Sequence, residues 1–300
     1  MEGKIIKGIA GFFYVAPTES KQIYECKARG KFRNENQTPL IGDIVKISTT
    51  NYEGSTAGNF LQGTIDKILP RKNKLIRPPV ANVDQGIIVF SLSYPVMHLD
   101  LLDRFLVMME ISKIDAIIVL NKLDEVINER YKEIVAGYKL TGYNVICTSV
   151  KDDNINIEQI KDLLKNKTSF FAGPSGVGKS SLLNAICPNF KLETGQVSQK
   201  IKRGKHTTRH TELLTLAFGG YVLDTPGFTS LKFDIIEPNL LKNYFIEFNQ
   251  YENECKFKGC THIHEPGCNV KKAVEDNKIY KSRYQSYLNY FEELKNTKKW

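Results

Sequence analysis

The chain reads as a multidomain protein in three successive parts: an all-β segment over 1–70, an α/β segment over 71–230 and a mainly helical segment over 231–300. Three patterns carry this reading. Short runs rich in Ile, Val, Phe and Tyr crowd the first part. Apolar strands alternate with amphipathic helices in the second. Helical periodicity surrounds a cluster of cysteines in the third.

In the first part, Lys4–Val15, Gln22–Phe32, Asp43–Ser48 and Phe60–Ile68 are strand-like, separated by Pro17–Ser20, Asn34–Pro39 and the glycine-containing Asn51–Asn59. Strands this short and this closely spaced fit a small closed β-barrel, with the OB-fold as the leading candidate. Lys27, Arg29, Lys31 and Arg33 alternate along one expected strand and would share a face, either solvated or turned to RNA. Arg71–Pro79, with its Arg-Pro-Pro element, reads as a linker.

The second part gives strands at Gln85–Ser91, Asp115–Leu120, Asn144–Thr148 and Ser169–Ala172, and two more at Glu212–Ala217 and Tyr221–Leu223. Helices are expected at Leu99–Ile111, Glu125–Leu140, Ile157–Leu164 and from Lys179 to Ile186. Such alternation implies a mostly parallel sheet covered on both faces. In the third part Ile279, Tyr284, Tyr287, Leu288, Phe291 and Leu294 fall at helical spacing. The tyrosine stripe reads as packing rather than as a platform for stacked bases.

Composition narrows the function classes. With 41% hydrophobic and 25% charged residues among 300, the chain is neither disordered nor fibrous. No apolar run is long enough to cross a bilayer, so no membrane partner is expected. Met1–Ala16 resembles a signal peptide only slightly: glycines break its apolar stretch and Pro17 follows Ala16. It reads as a strand of a cytoplasmic protein. The net charge of +9 favours a polyanionic partner. Six cysteines are too few for a disulfide scaffold, and half of them crowd into Cys255–Cys268.

Gly173-Pro174-Ser175-Gly176-Val177-Gly178-Lys179-Ser180 fits the phosphate-binding pattern G-x-x-x-x-G-K-[ST], after a strand and before a helix, with Ser181 next. Glycines let backbone N–H groups converge on phosphate oxygens, and the helix N-terminus adds its dipole. Lys179 would neutralise the β- and γ-phosphates, and Ser180 would coordinate Mg²⁺. Asp224-Thr225-Pro226-Gly227 ends another strand, where an Asp holds Mg²⁺ and Gly227 lets a backbone N–H approach the γ-phosphate. Asn121-Lys122-Leu123-Asp124 ends a third. Asp124 would accept hydrogen bonds from guanine N1–H and its 2-amino group, donors that adenine lacks. Taken alone, Asp124 would instead be the N-cap of Glu125–Leu140. Thr148-Ser149-Val150 closes the next strand and can bring a backbone N–H to guanine O6. These signatures resemble the GTPase motifs G1, G3, G4 and G5, but in the order G4-G5-G1-G2-G3, as a circular permutation would leave them.

Gln196–His210 carries Lys200, Lys202, Arg203, Lys205, His206, Arg209 and His210 and no acid. One Thr of the pair Thr207-Thr208, with Thr208 favoured, would complete the Mg²⁺ shell. The residue after D-x-x-G is Phe228, where many GTPases have a water-orienting Gln. His206 is the best substitute for it, with an RNA contact as the competing reading. Cys255, Cys260, His262 and Cys268 supply three thiolates and an imidazole, a closed tetrahedral set suited to structural Zn²⁺. His264 competes with His262 for the imidazole position. Cys26, Cys147 and Cys187 read as ordinary thiols.

On these motifs the chain resembles, over essentially its whole length, the RsgA (YjeQ/YloQ) family of circularly permuted GTPases. The resemblance rests on Asn121–Asp124, Gly173–Ser180, Asp224–Gly227, the stretch Gly204-Lys205-His206-Thr207-Thr208, and Cys255 and Cys260 followed by Thr261-His262-Ile263-His264-Glu265-Pro266-Gly267-Cys268. It implies an OB-fold, one structural zinc, and GTP hydrolysis activated by the small (30S) ribosomal subunit and its rRNA in late maturation of that subunit. The family's switch histidine corresponds to His206. A nucleotide-dependent RNA-binding or anti-association factor, in which hydrolysis only drives release, is the alternative. GTP and GDP are the expected ligands, and a monomer the expected state.

Overall fold

The computed structural model describes residues 1–300 apart from 21, 31, 33–36, 50–59, 77, 152–153, 189–210, 225–235 and 297–300. The chain divides into two compact units. One comprises Met1–Gly86, Gln159–Ala172 and Val197–Thr229, the other Ile87–Glu158, Gly173–Gln196 and Ser230–Trp300.

In the first unit β1 (Glu2–Ile9), β2 (Phe12–Pro17), β3 (Tyr24–Ala28), β4 (Ile44–Thr49) and β5 (Leu61–Ile68) close a barrel in the order β1-β2-β3-β5-β4. Strands β3 and β5 run parallel while the other pairs run antiparallel, which is the OB-fold arrangement. Alternate residues point inward, so Ile5, Val15, Cys26, Val45, Ile47 and Ile65 form its core.

Three expectations change here. Lys4–Val15 is a hairpin, not one strand, because Ala10 (φ 50°) and Gly11 (φ 85°) make a left-handed two-residue turn. The strand expected over Gln22–Phe32 stops at Ala28, so the four cations do not line one strand. Lys27 Nζ lies 5.0 Å from the centre of the Phe12 ring, Arg29 pairs with Asp66 at 2.6 Å, and Lys31 and Arg33 lie outside the described residues. The expected linker Arg71–Pro79 contains β6 (Lys74–Leu75), paired with β7 (Val80–Ala81). Arg71 holds this hairpin to the barrel, donating from Nε to Asp43 Oδ1 at 2.7 Å and from Nη2 to Oδ2 at 2.8 Å. Asp43 is fully buried, and a fork-shaped cation is the partner a buried carboxylate needs.

The α/β sheet has the order β10-β9-β8-β11-β13-β12, built from β8 (Gln85–Ser91), β9 (Asp115–Asn121), β10 (Asn144–Cys147), β11 (Thr168–Ala172), β12 (Leu213–Thr215) and β13 (Tyr221–Leu223). Strand β12 runs antiparallel to β13, whereas β9–β10 and β11–β13 are parallel. Helices α1 (Leu99–Ser112), α2 (Tyr131–Leu140), α3 (Ile157–Leu164) and α4 (Lys179–Ile186) follow β8 to β11 in turn. The helix expected from Glu125 starts only at Tyr131. Leu123–Glu125 is a 3-10 turn, and Asn128 Oδ1 accepts from Arg130 N at 3.1 Å, a local bond that competes with helix formation.

The C-terminal part opens with 3-10 turns at Pro238–Tyr244, Ile246–Gln250 and Glu252–Glu254 and ends in α5 (Asn269–Glu275) and α6 (Lys281–Asn296). The tyrosine stripe is packing: Tyr287 and Tyr290 are buried, and their hydroxyls donate to Thr261 O and Asp100 O. Arg283 of α6 is fully buried. It donates from Nε to Glu247 Oε1 at 2.7 Å and from Nη1 to Asp103 Oδ1 of α1 at 3.2 Å. Burial opposes its charge, but Glu247 and Asp103 hold it protonated well above the usual range. Removing one partner of such a cluster strands the other charges in a medium that solvates them poorly. Arg283→Ala should therefore lower unfolding free energy by about 3–5 kcal/mol in urea denaturation. A loss under about 1 kcal/mol would mean that Asp103 and Glu247 tolerate each other without it.

Candidate nucleotide site and metal centre

Gly173–Gly178 leaves β11 and opens α4. Two of its glycines are required by contact as well as by backbone angle. At Gly173 (φ 131°) a Cβ would meet Val89 O at 2.0 Å, and at Gly178 (φ 97°) it would meet Asn121 Nδ2 at 2.3 Å. The N-cap of α4 is Gly178, which has no side chain to cap the first turn, so the N–H groups there are suited to an anion. Lys179 Nζ donates to Gly173 O at 2.8 Å and Pro174 O at 2.5 Å, and burial pulls its pKa below the ordinary lysine value. Ser180 and Ser181 follow on the helix.

The base-reading loop is fastened to this loop by one side chain. Asn121, 3% exposed at the end of β9, donates from Nδ2 to Val177 O at 2.9 Å. Its Oδ1 accepts from Thr148 Oγ1 at 3.1 Å. Leu123 N donates to Thr148 O at 3.0 Å, so the loops after β9 and β10 are joined through backbone as well. Lys122 takes a left-handed conformation (φ 65°) and donates to Tyr94 O. Asp124 does not cap a helix. It lies in the 3-10 turn and accepts from Ser149 Oγ at 2.7 Å. The second unit thus brings together Asn121, Lys122, Leu123, Asp124, Ser149 and Gly173–Ser181.

Asp224 stands at the end of β13 in the first unit. Its Oδ1 accepts from Glu212 N at 3.0 Å. Thr225–Phe228 and Gln196–His210, with His206, Thr207, Thr208 and Gly227, lie outside the described residues. The loop Ser91–Val96 carries no motif, and sequence reasoning passed over it. Its Ser93 Oγ donates to Glu125 Oε2 at 2.6 Å, and Pro95 lies beside Gly176.

The donor atoms of Cys255, Cys260, His262 and Cys268 lie within 4.8 Å of one another. His262 Nδ1 is 3.7 Å from Cys255 Sγ and 3.4 Å from Cys268 Sγ. Its Nε2 is buried and has no hydrogen-bond partner among the described residues, Glu252 Oε2 standing off at 3.9 Å. His264 is exposed and lies outside the cluster. Burial pushes the Cys260 thiol up to about 12 and lowers the pKa of His262. Crowded thiols beside a neutral imidazole fit a thiophilic dication, and the closed Cys₃His set matches structural Zn²⁺. Asn269 N points to Cys255 Sγ at 3.3 Å and Lys271 N to Cys268 Sγ at 3.4 Å, bonds that favour thiolate. Glu265, which sequence reasoning left without a role, organises the loop. It accepts from Thr261 N at 2.8 Å, Thr261 Oγ1 at 2.7 Å and Ile263 N at 3.1 Å. Burial works against its charge, yet these bonds hold its carboxyl down to about 2.

Comparison with known proteins agrees with this geometry. Residues 68–234 match the family model of the RsgA GTPase, and residues 2–56 that of the RsgA N-terminal domain. The chain is 50% identical to a protein from Alkaliphilus metalliredigens named small ribosomal subunit biogenesis GTPase RsgA, over 100% of this chain and 99% of that one. It is 48% identical to the protein of the same name from Caldanaerobacter subterraneus, over 100% and 97%. Among solved structures, YloQ, described as a circularly permuted GTPase, superposes with a TM-score of 0.83 at 39% identity, over 100% of this chain and 96% of that one. YjeQ from Thermotoga maritima does so with a TM-score of 0.84 at 37% identity, over 99% of each chain. The barrel, the permuted order of nucleotide motifs and the Cys₃His cluster thus meet in one chain that belongs to the RsgA family of GTP-hydrolysing enzymes.

Proposed function

We propose that the chain hydrolyses GTP in response to the small ribosomal subunit, acting late in that subunit's maturation through contacts with its rRNA. The observation that carries the guanine-nucleotide site is Asn121, whose hydrogen bonds to Val177 O and Thr148 Oγ1 fix the base loop against the phosphate loop. Gly173, Pro174, Ser175, Gly176, Val177, Gly178, Lys179, Ser180 and Ser181 cradle the phosphates. Lys122 and Leu123 form the wall of the base site. Asp124 accepts from guanine N1–H and the 2-amino group, oriented by Ser149. Ser180, Thr208 and Asp224 hold Mg²⁺, which offsets charge on the β- and γ-phosphates when bound. Gly227 brings a backbone N–H toward the γ-phosphate, and His206 orients the attacking water that Phe228 cannot. Cys255, Cys260, His262 and Cys268 hold one zinc ion. Support for the partner comes from the relatives' names and from the net charge of +9. The test is GTP turnover with purified subunits. Small subunits should raise it by roughly tenfold or more and large subunits should not. Equal turnover with both would refute the partner.

Asp124→Asn should lower GTP affinity by roughly 10²-fold and admit xanthosine triphosphate, because the amide can serve xanthine's carbonyl. Competition binding with the two nucleotides reads this, and an unchanged guanine preference would refute the role of Asp124.

His206→Ala should leave GTP and subunit affinity near normal while subunit-stimulated turnover falls roughly 10²–10⁴-fold. If subunit binding weakens instead, with a shallower salt dependence and turnover that recovers at saturation, His206 is an RNA contact.

Stripping zinc with a chelator should release one metal ion per chain and free Tyr284 and Tyr287 from the loop carbonyls of His262 and Thr261. Trypsin should then cut at Lys256 and Lys258. Protection equal to that of the metal-loaded protein would rule out a structural metal.

A further inference from the structure

The edge strand β12 connects two parts of the first unit that the nucleotide motifs do not account for. Just before it, Glu212 forms an antiparallel bridge with Lys7 of barrel strand β1. Lys7 Nζ also reaches Glu212 Oε2 at 2.5 Å. On its other side Glu212 continues the ladder between β12 and β13, whose register pairs Leu213 with Leu223 and so Glu212 with Asp224. Asp224 N donates to Glu212 O at 3.1 Å. The return bond is unusual. Glu212 N donates to the Asp224 side chain, Oδ1, at 3.0 Å rather than to a main-chain carbonyl. One carboxylate oxygen is thereby fixed by the backbone of the residue that the barrel holds.

A second contact keeps β1 in place beside this strand pair. Lys4 Nζ donates to Thr168 Oγ1 at 2.6 Å and lies 5.0 Å from the centre of the Tyr221 ring, at the start of β13. Lys4 and Lys7 therefore grip β11, β12 and β13 from one barrel strand.

We propose that Glu212 is a positioning residue for Asp224, and that Lys7 makes it answer to the barrel. A change in the grip of β1 moves the Glu212 backbone, which turns the Asp224 carboxylate, so occupation of the barrel and Mg²⁺-dependent retention of GTP are linked in both directions. This rests on Asp224 as a Mg²⁺ residue. The Lys7–Glu212 ion pair is partly exposed and of modest strength by itself. Its effect comes from the backbone bridge that it clamps.

The test uses the full chain and a fluorescent non-hydrolysable GTP analogue. Its dissociation rate is read in Mg²⁺ and in EDTA, the ratio being the slowing that Mg²⁺ confers. Lys7→Met and Glu212→Gln should each reduce that ratio roughly three- to tenfold with the EDTA rate unchanged, and the double variant should equal either single one. The charge-swapped pair Lys7→Glu with Glu212→Lys should restore most of it. Asp224→Asn serves as the reference. If it abolishes the slowing while the Lys7 and Glu212 variants do not alter it, the coupling is wrong and the Mg²⁺ assignment stands. If Asp224→Asn leaves the slowing intact, the Mg²⁺ assignment fails and the coupling with it. A lower melting temperature in the single variants with an unchanged ratio would make the pair structural only and overturn the proposal.

Discussion

The two hydrogen bonds of the Asn121 side chain are the constraint around which the nucleotide site is arranged. They join three loops that are distant in sequence: the one after β9, the one after β10 and the phosphate loop. An amide so buried has no water to fall back on, and leaving either bond unmade would cost about 1–3 kcal/mol. The need for Gly178 follows from it, since a methyl group there would occupy the place of the Asn121 amide nitrogen. The left-handed Lys122 then turns the chain so that Asp124 meets Ser149 instead of entering a helix.

The metal centre follows a similar logic with a different donor set. Its loop is held from within and from outside: Glu265 gathers three donors of the loop itself, while Tyr284 and Tyr287 bind two of its carbonyls and Phe248 packs against the His262 ring edge-to-face at 5.7 Å. Among the described histidines only His262, in a left-handed conformation (φ 63°), turns its Nδ1 to the thiols. His264, two residues on, faces solvent.

What could be read from the sequence depended on whether the cause was local. Strands buried on both faces, such as β8 and β9, announce themselves as continuous apolar runs, and the phosphate loop carries its glycines in order. The Ala10-Gly11 hairpin was hidden because alanine is a poor turn signal, so β1 and β2 read as one strand. The β6–β7 hairpin owes its place to Arg71 and Asp43, an ion pair that no local pattern announces. The late start of α2 hides for the opposite reason: a periodic apolar stripe outweighed the local bond from Asn128. Arg283, Asp103 and Glu247 were invisible as core because charged residues are rarely buried, and these three are buried together because one guanidinium bridges both carboxylates. The Ser91–Val96 loop has neither periodicity nor motif.

That last charge cluster bears on the order in which the chain can be made. Asp103 is synthesised early, and the guanidinium that compensates it arrives 180 residues later. Until then α1 carries a carboxylate that must stay hydrated, and Glu247 joins it without relief. The base loop also waits, because the acceptor for Asn121, Val177 O, lies 56 residues further on. A permuted order therefore writes the base-reading loop before the phosphate loop that fastens it. The buried charge cluster of the second unit is completed only when its final helix has been made, so α1 is the element that waits longest for its partner.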